Sequence, residues 1–130
     1  MEPPSPARLY ATAVGLLLVV LGILGFFYDA SFGAADSYED AFGALQANGW
    51  VNLLYVVTGA LGLYVAGVAS RGYSLIIGLL YVVLAIVGWG TGALHLVIGV
   101  LGLAAAAGTP KPGRKPRRSE PRAKPAGKRA

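Results

Sequence analysis

Histidine occurs once in this 130-residue sequence, at position 95, and cysteine does not occur at all. Without cysteine there is no disulfide framework, thiol nucleophile, iron–sulfur cluster or cysteine-type zinc site. His95 sits in an apolar run that carries no Asp, Glu, Lys or Arg. Tyrosines aside, it is the one titratable group inside any such run. Three chemistries are open to it: a pH-sensitive group, a metal ligand, or a haem ligand. A single histidine cannot make a bis-histidine site within one chain. The bland alternative is a structural histidine whose ring nitrogens are satisfied by neighbours. The acids Asp36, Glu39 and Asp40 lack the spacing of a calcium-binding loop and read as a solvated acidic connection. With no nucleophile–base set and no ligand cluster, neither an enzyme nor a cofactor is expected, and no catalytic or metal residue is assigned.

The elements that would position His95 are four apolar runs, at about 9–28, 50–69, 73–89 and 92–108. Hydrophobic residues make up 55% of the chain and charged ones only 13%, about half the usual share for a soluble domain. Each run approaches the ~17–25 residues that a helix needs to cross a bilayer, and an open sheet cannot satisfy its edges in lipid. The expected fold is therefore all-α: an integral membrane four-helix bundle over residues 1–108.

An internal repeat runs through it. Gly15–Phe26 and Gly78–Trp89 share eight of twelve positions at an offset of 63, and Leu54–Ala66 and Leu94–Ala106 share seven of thirteen at an offset of 40. The bundle then consists of two tandem helical hairpins related by a pseudo-two-fold axis along the membrane normal. The repeat also argues that the first run is retained as a helix and is not a cleaved signal peptide.

Small residues mark the expected packing faces: Gly15, Gly22 and Gly25 in the first run; Gly59, Gly62 and Ala66 in the second. Gly78, Ala85 and Gly88 do so in the third, and Gly99, Gly102 and Ala106 in the fourth. Van der Waals packing of such faces is the main attraction between helices in lipid. His95 shares the face of Gly99 and Gly102, so it points into the bundle. Its repeat counterpart is Tyr55, with Asn52 one turn nearer the surface. Asn52, Tyr55 and His95 form the candidate polar cluster inside the membrane.

Charge sets the orientation. Nine of the eleven basic residues follow Thr109, and the other two, Arg8 and Arg71, fall on the same side of a four-span chain. The opposite side carries Asp29, Asp36, Glu39 and Asp40. The positive-inside rule places both termini in the cytoplasm and the chain, multi-pass, in the cytoplasmic (inner) membrane. Between Asp29 and Gly49, Ser37 with Asp40 resembles a capping box, and Tyr38, Phe42 and Leu45 recur at helical spacing. A short interfacial helix is expected there, ending at Asn48-Gly49. Residues 109–130, rich in Pro, Lys and Arg, are expected to be a disordered cytoplasmic tail that lies on anionic lipid headgroups. Nucleic acid is disfavoured as a partner because no aromatic residue is interleaved to stack on bases.

The pattern His95-Leu96-Val97-Ile98-Gly99-Val100-Leu101-Gly102 resembles one found in a family of small bacterial four-span membrane proteins of unknown function. In that family H-L-x-x-G-x-x-G recurs in the second and fourth spans. Here Gly59 and Gly62 fit in the second span, Asn52 stands where the family often has Asn, and Tyr55 replaces the first histidine. The resemblance covers about Leu9 to Gly108 and implies the four-span architecture without an activity. The expected role is a structural, interaction or accessory subunit whose partners are the lipid bilayer and a homo-oligomer or another membrane protein. The alternative is a small transporter or channel component with a proton-linked His95.

Overall fold

A computed structural model describes residues 1–112; the basic segment beyond them, where the tail expectation falls, lies outside the described residues. Four helices dominate: α1 (Pro6–Gly25), α2 (Gly49–Val65), α3 (Ser70–Val87) and α4 (Gly92–Ala107). Two short strands, β1 (Glu39–Ala41) and β2 (Leu45–Ala47), form an antiparallel hairpin in the α1–α2 connection. The protein is all-α apart from that hairpin. Helices α1 and α3 are long and apolar enough to cross a membrane; α2 and α4 are apolar but shorter, at 17 and 16 residues.

Local chemistry explains where each helix starts and stops. Ser5 caps α1 by accepting from the Arg8 amide at 3.1 Å, and Pro6 occupies the first turn, where its missing N–H costs nothing. The helix therefore begins three residues before the apolar run does. Asn48 caps α2, its Oδ1 accepting from the Val51 amide at 2.8 Å. It starts a helix where the sequence reading had it end one. At the other end of α2 the chain leaves helical geometry at Ala66 and turns through Gly67 (φ +84°). The Gly67 amide is taken up by Ser70 Oγ at 2.9 Å. Helix α3 ends in a left-handed cap at Gly88 (φ +77°).

The expected interfacial helix at 37–45 does not form. Phe42 (φ +56°) and Gly43 (φ +71°) are both left-handed, and with Ala44, whose amide donates to the Ala41 carbonyl at 3.2 Å, they make a three-residue hairpin turn. Glu39 pairs with Ala47, Asp40 with Gln46 and Ala41 with Leu45, so Ala41 and Ala47 face inward together. Tyr38, Phe42 and Leu45 suggest a helical period only if Gly43 is ignored.

Helix α1 packs chiefly on α2 and α3 chiefly on α4, while α2 and α3 hardly touch. Both tight pairs depend on glycine. A β-carbon at Gly59 would lie 2.6 Å from the Gly15 carbonyl oxygen, and one at Gly15 would lie 2.9 Å from that of Gly59. In the second pair a β-carbon at Gly78 would meet the Leu103 amide at 2.8 Å, and one at Gly99 the Gly78 carbonyl at 2.8 Å. Gly22 and Gly25 likewise abut Asn52, Gly62 abuts Tyr73 and Ala11, and Gly102 abuts Tyr10 and Ser74. Ala106 is buried too, Ala66 and Ala85 are half-buried, and Gly88 is exposed at its cap instead of on a packing face. Thr109 is tied to the bundle, accepting from the Ala7 amide on Oγ1 and from Arg71 Nε on its carbonyl. The folded unit thus passes the expected boundary at 108.

These contacts separate two kinds of glycine. We expect Gly59→Ala to lower the thermal midpoint, by an overpacking cost of about 1–3 kcal/mol, because backbone lies on the far side and cannot yield. Gly72→Ala, in α3 with open space at its β position, should raise stability by up to about 1 kcal/mol through helix propensity. Thermal unfolding of the two variants beside the parent protein checks both signs.

Candidate functional site

The interior of the bundle is polar where a soluble core would be apolar. Its largest fully buried side chains include Tyr81, His95, Asn48, Asn52, Ser70 and Ser74. Four tyrosines, Tyr10, Tyr55, Tyr73 and Tyr81, lie along it, each at most 5% exposed. Burying a hydroxyl without a partner costs roughly 1–3 kcal/mol, so their contacts are the site's organising feature.

Tyr10 from α1 donates to the Ile98 carbonyl of α4 at 2.7 Å, and Tyr73 from α3 donates to the Thr58 carbonyl of α2 at 2.7 Å. Both bonds cross between the two tight helix pairs, and the tyrosines stand 63 residues apart and their acceptors 40. Glycine makes the room: a β-carbon at Gly102 would come 2.7 Å from the Tyr10 hydroxyl, and one at Gly62 2.6 Å from that of Tyr73. Thr58 also gives its own hydroxyl proton to the Leu54 carbonyl at 2.7 Å. The contact between Thr58 Oγ1 and Tyr81 Oη at 2.8 Å must then run from tyrosine to threonine. Sequence reasoning missed this set of Tyr10, Thr58, Tyr73 and Tyr81. The available signal was tyrosine spaced with the glycines inside otherwise aliphatic runs.

His95 completes the interior. It is fully buried, and its Nε2 shares a hydrogen bond of 2.7 Å with the Tyr55 hydroxyl. The rings of Tyr55 and Tyr81 meet it edge-on at centroid distances of 5.7 and 5.2 Å. Nδ1 is buried without a hydrogen bond. Two of the three residues in the expected cluster therefore meet. Asn52 does not join them: its Nδ2 donates to the Asp29 carbonyl at 2.8 Å, and its side chain packs over Gly25. It fastens the end of α1 to α2 and leaves His95 to Tyr55 alone.

Above His95 the α1–α2 connection folds back over the bundle. Three hydrogen bonds hold it to the α3–α4 turn, and all of them end on consecutive residues. Trp89 Nε1 donates to the Ala35 carbonyl at 2.9 Å, the Gly90 amide donates to Tyr38 Oη at 3.0 Å, and the Gln46 amide donates to Thr91 Oγ1 at 2.8 Å. Asn48 braces the connection from below, with Nδ2 donating to the Ala35 and Ser37 carbonyls at 2.9 and 3.1 Å. Gly90 (φ +72°) rests on the imidazole; a β-carbon there would lie 2.7 Å from His95 Cε1. Asp36, Glu39 and Asp40 are all exposed. Among the described residues no group of three or more His, Cys, Asp or Glu side chains could hold a metal ion.

A four-helix protein with a hydroxyl-rich axis and one covered histidine is the class that fold and site define. The chain belongs to the family of the domain of unknown function DUF4383, whose model matches residues 8–93. The match covers α1 to α3 and the clasped turn and stops before His95. No curated protein and no solved structure matches the chain.

The Tyr55–His95 bond sets up a double-mutant prediction. Tyr55→Phe and His95→Leu should each destabilise by about 1 kcal/mol, because each strands a buried partner. Together they should cost less than the sum of the singles, since the pair then leaves no orphan. Strict additivity in thermal or chemical unfolding would mean that the two side chains are not energetically coupled.

Proposed function

We propose that the protein is an integral, multi-pass membrane protein in which all four helices span the bilayer and both termini face the cytoplasm. One observation carries this reading: the distribution of side chains is inverted relative to a water-soluble bundle. Leu16, Val20, Ile23, Val57, Leu79, Val83, Ile86, Val97, Val100 and Leu101 are all 44–78% exposed, and they come from all four helices. The interior is rich in Gly, Ala, Ser, Thr, Asn, Tyr and His, with Leu18, Val51, Ile77 and Ile98 as its buried larger aliphatics. Water would penalise such a surface, whereas lipid has no preference for hiding it, and small residues inside are what helix association in lipid requires.

The shorter α2 and α4 fit as spans because ~17 residues is the lower limit for crossing and local thinning accommodates a few ångströms. The apolar run around α2 also continues through the turn to Ala69. Charge supports the orientation: Arg8, Arg71 and Lys111 lie at the end of the bundle that bears the termini, and the acids of the α1–α2 connection lie at the other. The crossed pair of tyrosine–carbonyl bonds supports duplication of a helical hairpin, since Tyr10 and Tyr73 are 63 residues apart and Ile98 and Thr58 are 40 apart.

Within the membrane the role that fits best is a structural, interaction or accessory subunit. Its buried hydroxyls are spent on main-chain carbonyls, and one histidine paired with one tyrosine is too small a set to name a reaction. The basic segment after Thr109 is suited to anionic headgroups on the cytoplasmic face, where each base near the surface contributes up to ~1 kcal/mol.

Topology is tested with single cysteines in a chain that has none of its own. A cysteine at Ser37 should react with an impermeant maleimide in intact cells, and one at Ser119 only after the cells are opened. Labelling of Ser119 but not Ser37 in intact cells would reverse the orientation, and equal labelling of both would contradict three crossings, by α2, α3 and α4, between them.

A further inference from the structure

We propose that His95 is a proton-binding site whose charge state sets how firmly residues 35–47 are seated over the bundle. The inference does not depend on the bilayer, only on the geometry beneath the cover. In the closed arrangement the imidazole has a use for one ring proton. Nε2 is paired with Tyr55 Oη at 2.7 Å, and Nδ1 has no partner. The Tyr55 hydroxyl can donate to Nε2 or accept from it, and in either tautomer Nδ1 has no partner.

The charged ring carries a proton on both nitrogens, and Nδ1 is then a donor with nothing to receive it. The titratable groups facing the ring are tyrosines: Tyr55 from α2, Tyr81 from α3 and, across the turn, Tyr38 from the cover. The carboxylates of the cover are exposed, and Asp29 is occupied with Ser31 at 2.8 and 3.0 Å. For Nδ1 to gain an acceptor, the turn at 88–91 that lies over the ring must shift. That turn anchors all three clasps, through Trp89 Nε1, the Gly90 amide and Thr91 Oγ1. Gly90 also rests directly on the imidazole, so a shift there is transmitted without slack. Protonation and a seated cover therefore exclude each other, and each weakens the other by the same factor.

The size of the effect follows from linkage. If the proton binds only when the cover is loosened, with the ordinary imidazole affinity, the loosened fraction rises about 30-fold between pH 8 and pH 5. The sign is fixed: the seated form is favoured at high pH and is lost as pH falls through the range where an accessible histidine titrates.

The test is amide hydrogen exchange at Gln46 and Gly90 in the full chain in detergent, expressed as protection relative to free-peptide exchange at each pH. Protection of both amides should fall about 30-fold from pH 8 to pH 5 in the wild type. His95→Gln keeps a polar group for Tyr55 and should flatten the dependence. The triple change Asp36→Asn, Glu39→Gln, Asp40→Asn removes the other groups on the cover that titrate at low pH and should leave the 30-fold fall intact. That arm decides the matter even if His95→Gln does not fold. A flat wild-type profile, persistence of the fall in His95→Gln, or its loss in the triple variant would each overturn the proposal.

Discussion

At Gly15 and Gly59 the backbones of α1 and α2 come so close that neither residue could carry a β-carbon, and Gly78 and Gly99 repeat the arrangement between α3 and α4. This approach controls what the interior can contain. With two pairs of main chains drawn together, little volume remains for aliphatic side chains between them. Most of the large ones lie on the outside of the helices, with Leu18, Val51, Ile77 and Ile98 the buried exceptions, one on each helix. The same closeness accounts for the weak contact between α2 and α3: each is committed to its own partner, and the two pairs meet mainly through side chains.

Joining the two pairs is the work of the tyrosines. Tyr10 and Tyr73 each reach across to a carbonyl of the other pair, and each does so over a glycine that leaves room for the ring or its hydroxyl. Bonds of this kind in membranes average only ~0.6 kcal/mol, so their contribution lies in fixing register more than in raw stability. His95 Nδ1 is the one buried side-chain polar atom among the described residues left without a partner. It lies under the segment whose clasps converge on Trp89, Gly90 and Thr91, and this coincidence is what links the interior to the cover.

Much of the fold could be read from the sequence because apolar runs without charge have few alternatives to helix. The packing role of Gly15, Gly59, Gly78 and Gly99 followed from their spacing. Other features depended on contacts that spacing cannot reveal. Asn48 suits the end of one helix or the start of the next, and only the Val51 amide decides between them. The 37–45 segment carries a helical period, but left-handed geometry at Phe42 and Gly43 turns it into a hairpin. Asn52 was grouped with His95 because both are polar and one turn apart in the repeat. The end of α1 at Gly25 brings the Asp29 carbonyl to Asn52 first. Tyr81 went unnoticed because its repeat counterpart is Leu18, so symmetry gave no hint of a hydroxyl there.

The claim that all four helices face lipid can be examined directly by carbene labelling from a photoactivated reagent dissolved in the bilayer, with the labelled residues located by mass spectrometry. The account predicts modification at Val20, Val57, Leu79 and Val100, one outward position on each helix, while Leu18, Val51, Ile77 and Ile98, which are buried on the same helices, stay unmodified. Labelling confined to α1 and α3, with α2 and α4 untouched on both faces, would contradict it.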